Sequence, residues 1–251
     1  MTVRGASPSE GAPVALVTGG ARRLGAAIST HLGMNGYRVV INFRRSAEDA
    51  RRLVRRIEER QGEAVALRAD VTKQSQVDRM VERIVRAYGR IDVLVNNVGD
   101  YLEGPLGSMG QKEWEALLRS NLFSVVLCTR AIVPVMRKQG RGRVINIGYS
   151  PAGRMQSSPR CTAYHIAKTG VLVYTKTIAA EEARFGITVN MVSPGTMFNS
   201  VKKPSKDPAD YIPAGRFCRY DDLLGAIDYL LSDRASYVTG NHIVASGGYA
   251  L

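Results

Sequence analysis

Residues 13–29 read PVALVTGGARRLGAAIS, and three kinds of structure follow one another in this stretch. An apolar run ends at Thr18, a glycine-rich turn follows, and the residues after Gly25 have the composition of a helix. Glycine in such a turn lets the backbone approach a phosphate closely, and the free N–H groups at the helix start supply donors. The stretch therefore predicts the first βα unit of an α/β sheet, with a phosphate-binding turn.

The same alternation of short apolar runs and longer helical segments continues along the chain, which is typical of βαβ units around a parallel sheet. The predicted strands are residues 13–18, 37–43, 64–69, 91–96, 143–148, 187–193 and 241–246. Right-handed crossovers put helices on both faces of such a sheet and ligands at the carboxyl ends of its strands. We expect an α/β fold, a single-domain Rossmann-type doubly wound parallel sheet of about seven strands.

The domain organisation follows from the same pattern. Residues 1–12 are expected to form a flexible N-terminal tail, and residues 13–251 a single domain. Residues 196–215 contain three prolines and have no clear period. Because a loop this long is unusual in a compact domain and directly follows a strand's carboxyl end, we expect a substrate lid there.

Composition excludes several classes of protein. The 251 residues are 45% hydrophobic and 23% charged, which is ordinary for a soluble chain, and no apolar run approaches the length of a membrane span. A cytoplasmic protein without a membrane partner is expected.

The net charge of +13 raises the question of whether the protein binds nucleic acid. The basic residues are mixed with acidic ones or separated by apolar runs, so no nucleic-acid partner is expected. Isolated histidines and scattered cysteines predict no metal site.

The end of the second strand bears on the choice of cofactor. Its sequence INFRRS, residues 41–46, has no Asp or Glu, the residue type that usually binds the ribose 2′-hydroxyl of NAD. Guanidinium groups at Arg44, and at Arg22 or Arg45, can instead bind a 2′-phosphate through paired hydrogen bonds. The sequence therefore favours NADP(H), with a solvated helix entrance as the alternative reading of Arg44 and Arg45.

Several further motifs occur at positions spread over nearly the whole chain. They are Thr18-Gly19 with Gly25, Asp70-Val71, Asn96-Asn97-Val98-Gly99, Asn121, Tyr164-x-x-x-Lys168, Ser193-Pro194-Gly195, Thr239-Gly240 and Gly247-Gly248. In this combination the chain resembles the short-chain dehydrogenase/reductase family. Arg23 stands where the family fingerprint has its middle glycine, and this basic residue is similar to the pteridine-reductase branch.

The resemblance implies a set of cofactor-binding residues. By it, Asp70 and Val71 flank the adenine, while Asn97 and Gly99 line the ribose and nicotinamide side; a simple turn or cap role stays open for Asp70. The full set is Thr18, Gly19, Arg22, Arg23, Leu24, Gly25, Arg44, Arg45, Ser46, Asp70, Val71, Asn97, Val98, Gly99, Pro194 and Gly195.

The resemblance also implies the catalytic residues. Tyr164 and Lys168 are four residues apart, hence on one face of a helix. Carbonyl reduction builds negative charge on oxygen, and Tyr164 would supply the proton while the Lys168 ammonium favours the phenolate. In the family the residue at Asn121 holds a water in the proton relay; a role only in helix bending or packing is the alternative.

The family's fourth catalytic residue is displaced in this chain. A serine, or an aspartate in pteridine reductases, normally precedes the tyrosine by about 13 residues and hydrogen-bonds the substrate oxygen, and that count falls on Pro151. Alignment by the preceding strand places Tyr149 at this position. Three readings remain: Ser150 takes the role, the Tyr149 phenol replaces it, or the group is lost.

These observations predict an NADPH-dependent oxidoreductase that reduces a small-molecule carbonyl to an alcohol, without a metal. Candidates are a 3-oxoacyl-carrier-protein reductase, because Lys202, Lys203 and Lys206 on the lid could meet an acidic carrier, and a pteridine reductase. A dinucleotide-binding regulator without turnover is the alternative. The resemblance implies a homotetramer or homodimer, with helices 111–139 and 160–184 at its interfaces.

Overall fold

A computed structural model of the chain describes residues 11–200 and 207–249. Seven strands are present in these ranges: β1 (Val14–Val17), β2 (Arg38–Phe43), β3 (Glu63–Arg68), β4 (Val93–Asn96), β5 (Gly142–Ile147), β6 (Ile187–Pro194) and β7 (His242–Ala245). They form one parallel sheet in the order β3-β2-β1-β4-β5-β6-β7. The predicted doubly wound sheet is confirmed, and each predicted strand lies within two residues of its observed bounds.

Helices occupy the intervening segments. They are α1 (Arg23–Met34), α2 (Ala47–Glu58), α3 (Gln74–Tyr88), α4 (Gln111–Leu118), α5 (Ser124–Gln139), α6 (Thr162–Glu182) and α7 (Tyr220–Leu231). A π-helical turn, Arg119–Phe123, separates α4 from α5, so the long helix expected over residues 111–139 is interrupted. Turns of this kind occur often at functional sites.

Packing divides the chain into two compact units. The first comprises residues 1–98, 127–144 and 185–187, and the second comprises residues 99–126, 145–184 and 188–251. The expectation of a single domain stays a prediction.

In the first unit, β1 pairs in parallel with β2 on one side and with β4 on the other. All four residues of β1 are fully buried, because a central strand covered on both faces has no solvent side. At the end of β2, Asn42 donates a hydrogen bond to the Ala69 carbonyl at 3.1 Å and accepts one from the Gly19 N–H at 3.3 Å. The β2 terminus thereby holds the turn after β1.

In the second unit, α6 packs over an apolar cluster made by Val125, Ala152, Val171, Leu172 and Met191. Each of these side chains is nearly or fully buried, and β6 contributes the last of them. This cluster fixes α6 relative to the end of β6 and to the turn after β5. The N-terminal turns of α6 carry Tyr164 and Lys168.

Ser46 is the N-cap of α2, but it makes no side-chain capping bond, although Asp49 follows it at the spacing of a capping box. The Asp49 carboxylate instead pairs with Arg22 and Arg52.

In the segment expected to form the lid, the backbone of Met197 makes a β-bridge to Cys218, and a short 3₁₀ turn covers Pro208–Asp210. Residues 201–206, with the three lid lysines, and residues 1–10 of the expected tail lie outside the described residues.

Within the described ranges, one helical stretch, Gln111–Gln139, is long and apolar enough to qualify as a membrane span by length and composition. Half of its apolar window is buried inside the protein, and core helices of soluble proteins meet the same criteria.

Candidate active site

The glycine-rich turn of the first unit has the shape that its sequence predicts. Gly19 has φ +59°, a left-handed backbone conformation that glycine adopts without strain. A Cβ on Gly25 would lie 2.3 Å from the Gly19 carbonyl oxygen and 2.7 Å from the Asn97 side-chain nitrogen. Because neither position tolerates a side chain, the turn can present its backbone directly to a ligand at the start of α1.

Arg23 shows how this chain departs from the family fingerprint. Its φ is +50°, also left-handed, at the position where the fingerprint has glycine. A non-glycine residue in this region costs of order 1 kcal/mol or more, and such strain concentrates at functional sites. The Arg23 side chain is exposed at the first residue of α1.

Thr18 and Asn97 tie the turn to the end of β4. The Thr18 hydroxyl accepts hydrogen bonds from the N–H groups of Asn97 and Val98, at 2.9 and 3.3 Å. The Asn97 side-chain amide donates to the carbonyls of Thr18 and Gly19, at 3.0 and 3.2 Å. Thr18 and Asn97 therefore hold the shape of the turn, whatever further contact they make with a ligand.

Arg44 and Asp70 lie together at the ends of β2 and β3. The Arg44 guanidinium is 3.8 Å from the Asp70 carboxylate, and half of the arginine side chain is exposed. Partial burial raises the pKa of Asp70, but hydrogen bonds from Thr72 and the charge of Arg44 outweigh it, so the pKa is lowered. Asp70 is thus a charged turn residue, and Arg44 keeps an exposed face. Arg22 and Arg45 are also exposed.

Tyr164 and Lys168 lie on one face of α6, as their spacing predicts. The Lys168 ammonium is 5.8 Å from the centre of the Tyr164 ring and donates a hydrogen bond to the Ile147 carbonyl at 2.8 Å. Burial lowers the pKa of Lys168 to about 8. Burial also raises the pKa of Tyr164, with smaller contributions from Tyr101 and Cys161. The phenol is therefore a protonated donor at neutral pH.

Asn121 lies in the π-helical turn and is fully buried. Its amide nitrogen donates to the carbonyls of Asp100 and Leu117, at 2.8 and 3.1 Å, while its Oδ1 has no hydrogen-bond partner among the described residues. A Cβ on Gly99 would lie 2.3 Å from this Oδ1 and 3.4 Å from the Lys168 nitrogen. Gly99 thus lets the Asn121 carboxamide approach its backbone closely, on the side where the Lys168 ammonium also lies.

Tyr149 and Ser150, the two candidates for the displaced fourth group, lie next to each other after β5. The Tyr149 ring lies edge-on to the Tyr164 ring, 5.2 Å between centroids, and its hydroxyl is 3.8 Å from the Cys161 sulfur. Burial raises the pKa of Tyr149, so its phenol is also a protonated donor. Ser150 is buried at the start of a 3₁₀ turn. The structure therefore brings the Tyr149 ring to Tyr164.

Tyr101 was not among the predicted site residues. Its ring lies edge-on to Tyr164, with 5.0 Å between centroids, and about two fifths of the residue is exposed. Burial of its hydroxyl raises the pKa of Tyr101 to about 12. Nothing in the local sequence distinguishes Tyr101 from other loop tyrosines, because its contact with Tyr164 joins segments more than sixty residues apart.

Two further predicted residues, Pro194 and Gly195, lie at the end of β6. Pro194 is its last residue, and the N–H of Gly195 donates to the Ala245 carbonyl at 3.0 Å. A Cβ on Gly195 would lie 2.8 Å from the Ser246 backbone. Gly195 is thus required for the close approach of these two segments.

Comparison with protein families identifies the chain. The family model described as short chain dehydrogenase matches residues 13–209. The chain belongs to the short-chain dehydrogenase family. The predictions of this family and of an oxidoreductase are confirmed, and the alternative of a regulator without turnover gains no support.

Two relatives match this chain over nearly its whole length. The 3-oxoacyl-[acyl-carrier-protein] reductase of Synechocystis sp. is 38% identical, over 96% of this chain and 98% of the relative. An enzyme of the same name from Staphylococcus epidermidis is 37% identical, over 93% of this chain and 97% of the relative.

Two solved structures are similar in fold. A gluconate 5-dehydrogenase from Burkholderia cenocepacia, in complex with NADP and tartrate, has a TM-score of 0.87 and 31% identity, over 94% of each chain. A variant of actinorhodin polyketide ketoreductase with NADPH has a TM-score of 0.89 and 28% identity, over 96% of this chain and 98% of that one.

Proposed function

We propose that this short-chain dehydrogenase reduces a carbonyl group to an alcohol, with NADPH as the hydride donor. The observation that carries the proposal is the unpaired, buried Oδ1 of Asn121, which lies against Gly99 on the side where the Lys168 ammonium also lies. A buried polar atom without a partner is costly, and a hydrogen-bonding guest at this position would satisfy it.

The chain's residues fit NADP(H). The Gly19 and Gly25 turn offers close backbone approach to a pyrophosphate, and the exposed face of Arg44, with Arg22 or Arg45, offers guanidinium donors to a 2′-phosphate. Both solved relatives named above carry NADP or NADPH. When bound, the cofactor supplies the hydride.

Proton supply is the task of Tyr164 and Lys168. Burial keeps the Tyr164 phenol protonated at neutral pH, so it can donate a hydrogen bond and then a proton to a carbonyl oxygen as negative charge develops there. The nearby Lys168 ammonium stabilises the resulting phenolate. One of its three N–H donors is used by the Ile147 carbonyl, which leaves donors for a ribose or a water beside Asn121.

We assign the fourth catalytic role to Tyr149. A donor for the developing oxyanion must reach the same oxygen as Tyr164, and the Tyr149 ring already contacts the Tyr164 ring. Ser150 is buried at the start of the neighbouring 3₁₀ turn.

The substrate class that we propose is a 3-oxoacyl thioester on an acidic carrier protein, in line with the names of the two reductases that share 37–38% identity with this chain. A pterin is the second candidate. It is favoured by Arg23, which takes up a left-handed backbone conformation where the fingerprint has glycine.

The remaining proposals concern assembly, the lid and location. Exposed Phe123, Ile166 and Val173 lie on the π-turn and on α6, the segments expected at subunit interfaces, and support a homodimer or homotetramer. Residues 196–215 would close over the substrate. Size-exclusion chromatography with light scattering measures the oligomeric state. We also propose that the enzyme is cytoplasmic.

Turnover of NADPH with acetoacetyl carrier protein and with a dihydropterin, in the wild type and in Tyr164→Phe, tests the function. We expect NADPH oxidation that depends on the added substrate in the wild type and its loss in the variant, with NADPH binding retained. Absence of turnover on both substrates and on a panel of simple ketones, in protein that binds NADPH, would refute the proposal.

A further inference from the structure

A second group of arginines lies outside the residues proposed to bind the cofactor. Arg68, at the end of β3, and Arg79 and Arg83, on one face of α3, line an open cavity of about 400 Å³ in the first unit. Gln76, Leu67 and Met80 complete its lining, and the last two side chains are almost fully buried. The cavity therefore has an apolar floor and a cationic rim.

The charge of this rim is not neutralised by the protein. Among the described residues, Arg68, Arg79 and Arg83 have no carboxylate oxygen within 4.0 Å. Arg38 and Arg90 of the same unit, by contrast, each pair with a carboxylate, at 2.7 and 2.6 Å. Three like charges around one concavity repel one another and concentrate positive potential there, a cost that a bound anion removes.

Two hydrogen bonds place this cavity beside the proposed cofactor site. The Arg68 Nε donates to the Arg44 carbonyl at 3.2 Å, and the Gln76 Oε1 accepts from the Asp70 N–H at 2.8 Å. The six lining residues are nevertheless distinct from those proposed to bind NADP(H). The position beside the cofactor rests on the proposed function, whereas the cavity itself does not.

We propose that Arg68, Arg79 and Arg83 form a second anion site, for a ligand that carries at least two phosphate groups. Guanidinium groups match phosphate oxygens in pairs of parallel hydrogen bonds, and three of them provide more donors than a single phosphate uses. The volume accommodates a diphosphate, and the floor of Leu67 and Met80 accommodates an apolar part of the same ligand. This site gives a role to part of the excess positive charge.

Calorimetric titration of inorganic pyrophosphate into the NADPH-saturated protein tests the site, because the cofactor then occupies its own phosphate positions. We expect saturable binding that the double variant Arg79→Gln/Arg83→Gln weakens about tenfold or more, since it removes charge-assisted hydrogen bonds to the phosphate oxygens. The matched control, Arg55→Gln/Arg56→Gln, removes the same charge from exposed positions of α2 and should change the affinity less than about twofold.

Equal weakening in the two double variants would mean nonspecific attraction to a basic chain and would overturn the proposal. Citrate that binds as tightly as pyrophosphate, with the same dependence on Arg79 and Arg83, would overturn the assignment to phosphate. Thermal unfolding midpoints of the variants that equal the wild-type midpoint exclude misfolding. Should NADPH fail to bind, the proposed function is refuted separately, and the titration of the protein alone with the same variants still decides this site.

Discussion

The ring of Tyr149 lies edge-on against the ring of Tyr164, with 5.2 Å between the centroids and an interplanar angle of 71°. The contact brings a second, partly buried phenol to the proposed proton donor, in a chain whose sequence lacks the family's serine at the usual spacing. The ring of His165 also lies edge-on to the Tyr149 ring, with 5.9 Å between the centroids, which restricts the Tyr149 ring further. A phenol held in this way costs little reorganisation when charge develops on a substrate oxygen.

The first prediction separates Tyr149 from Ser150. Tyr149→Phe keeps the ring contact and removes the donor, so kcat should fall about 100-fold, the usual loss for one oxyanion donor. Ser150→Ala should lower kcat less than about threefold, because that hydroxyl is not the donor. Steady-state kinetics of both variants measure the two kcat values. A larger fall of kcat in Ser150→Ala than in Tyr149→Phe would assign the oxyanion donor to Ser150.

The second prediction concerns pH. Burial lowers the pKa of Lys168 to about 8, so its ammonium is present below that pH and lost above it. The kcat/KM for carbonyl reduction should therefore fall as pH rises through about 8, while the raised pKa of Tyr164 keeps the phenol protonated there. Lys168→Arg should be slower overall but should lack this decline, because guanidinium does not deprotonate. An unchanged midpoint in that variant would assign the titration to another group.

The third prediction concerns the phosphate turn. Gly25→Ala would place a Cβ 2.3 Å from the Gly19 carbonyl oxygen, so the turn must move. We expect a loss of about 1–3 kcal/mol in the free energy of unfolding, as for other overpacked sites, and a weaker affinity for NADPH. Denaturant unfolding and fluorescence titration measure the two effects.

Gly225→Ala is the matched control for that change. A Cβ at Gly225 would meet nothing within 4 Å, and the position is inside α7. Since alanine is the better helix former, we expect this variant to gain about 0.5–1 kcal/mol of stability and to bind NADPH normally. Equal effects of the two substitutions would contradict the steric account.

The fourth prediction concerns cofactor preference. Arg44→Ala removes the half-exposed guanidinium beside Asp70, and it should weaken NADPH binding about tenfold or more while NADH binding changes little. Dissociation constants for both cofactors, measured in parallel for Arg45→Ala, would show which of the two adjacent arginines carries the preference. A proportional loss of both cofactors in Arg44→Ala would argue against contact with the 2′-phosphate.

Most of the fold could be predicted from the sequence. The seven strands are short apolar runs, and a buried parallel strand needs little more than such a run between turn residues. The pairing of Asp49 with Arg22 and Arg52 was not predicted, because Arg22 belongs to a different segment of the chain. The π-helical turn in residues 111–139 was missed as well, since its apolar period is nearly that of an α-helix.

The sequence by itself determined the glycine turn, the spacing of Tyr164 and Lys168 on one helix face, and the absence of an acidic residue at the end of β2. Each of these features depends on residues that are adjacent in the chain or one helical turn apart. Only the tertiary structure decided that Tyr101 and Tyr149 contact Tyr164. The same holds for the Asn121 Oδ1, which is left unpaired beside Gly99. It holds also for the three arginines of β3 and α3 that share one cavity. These relationships join segments distant in sequence, and it is the packing of helices and loops on the sheet that brings them together.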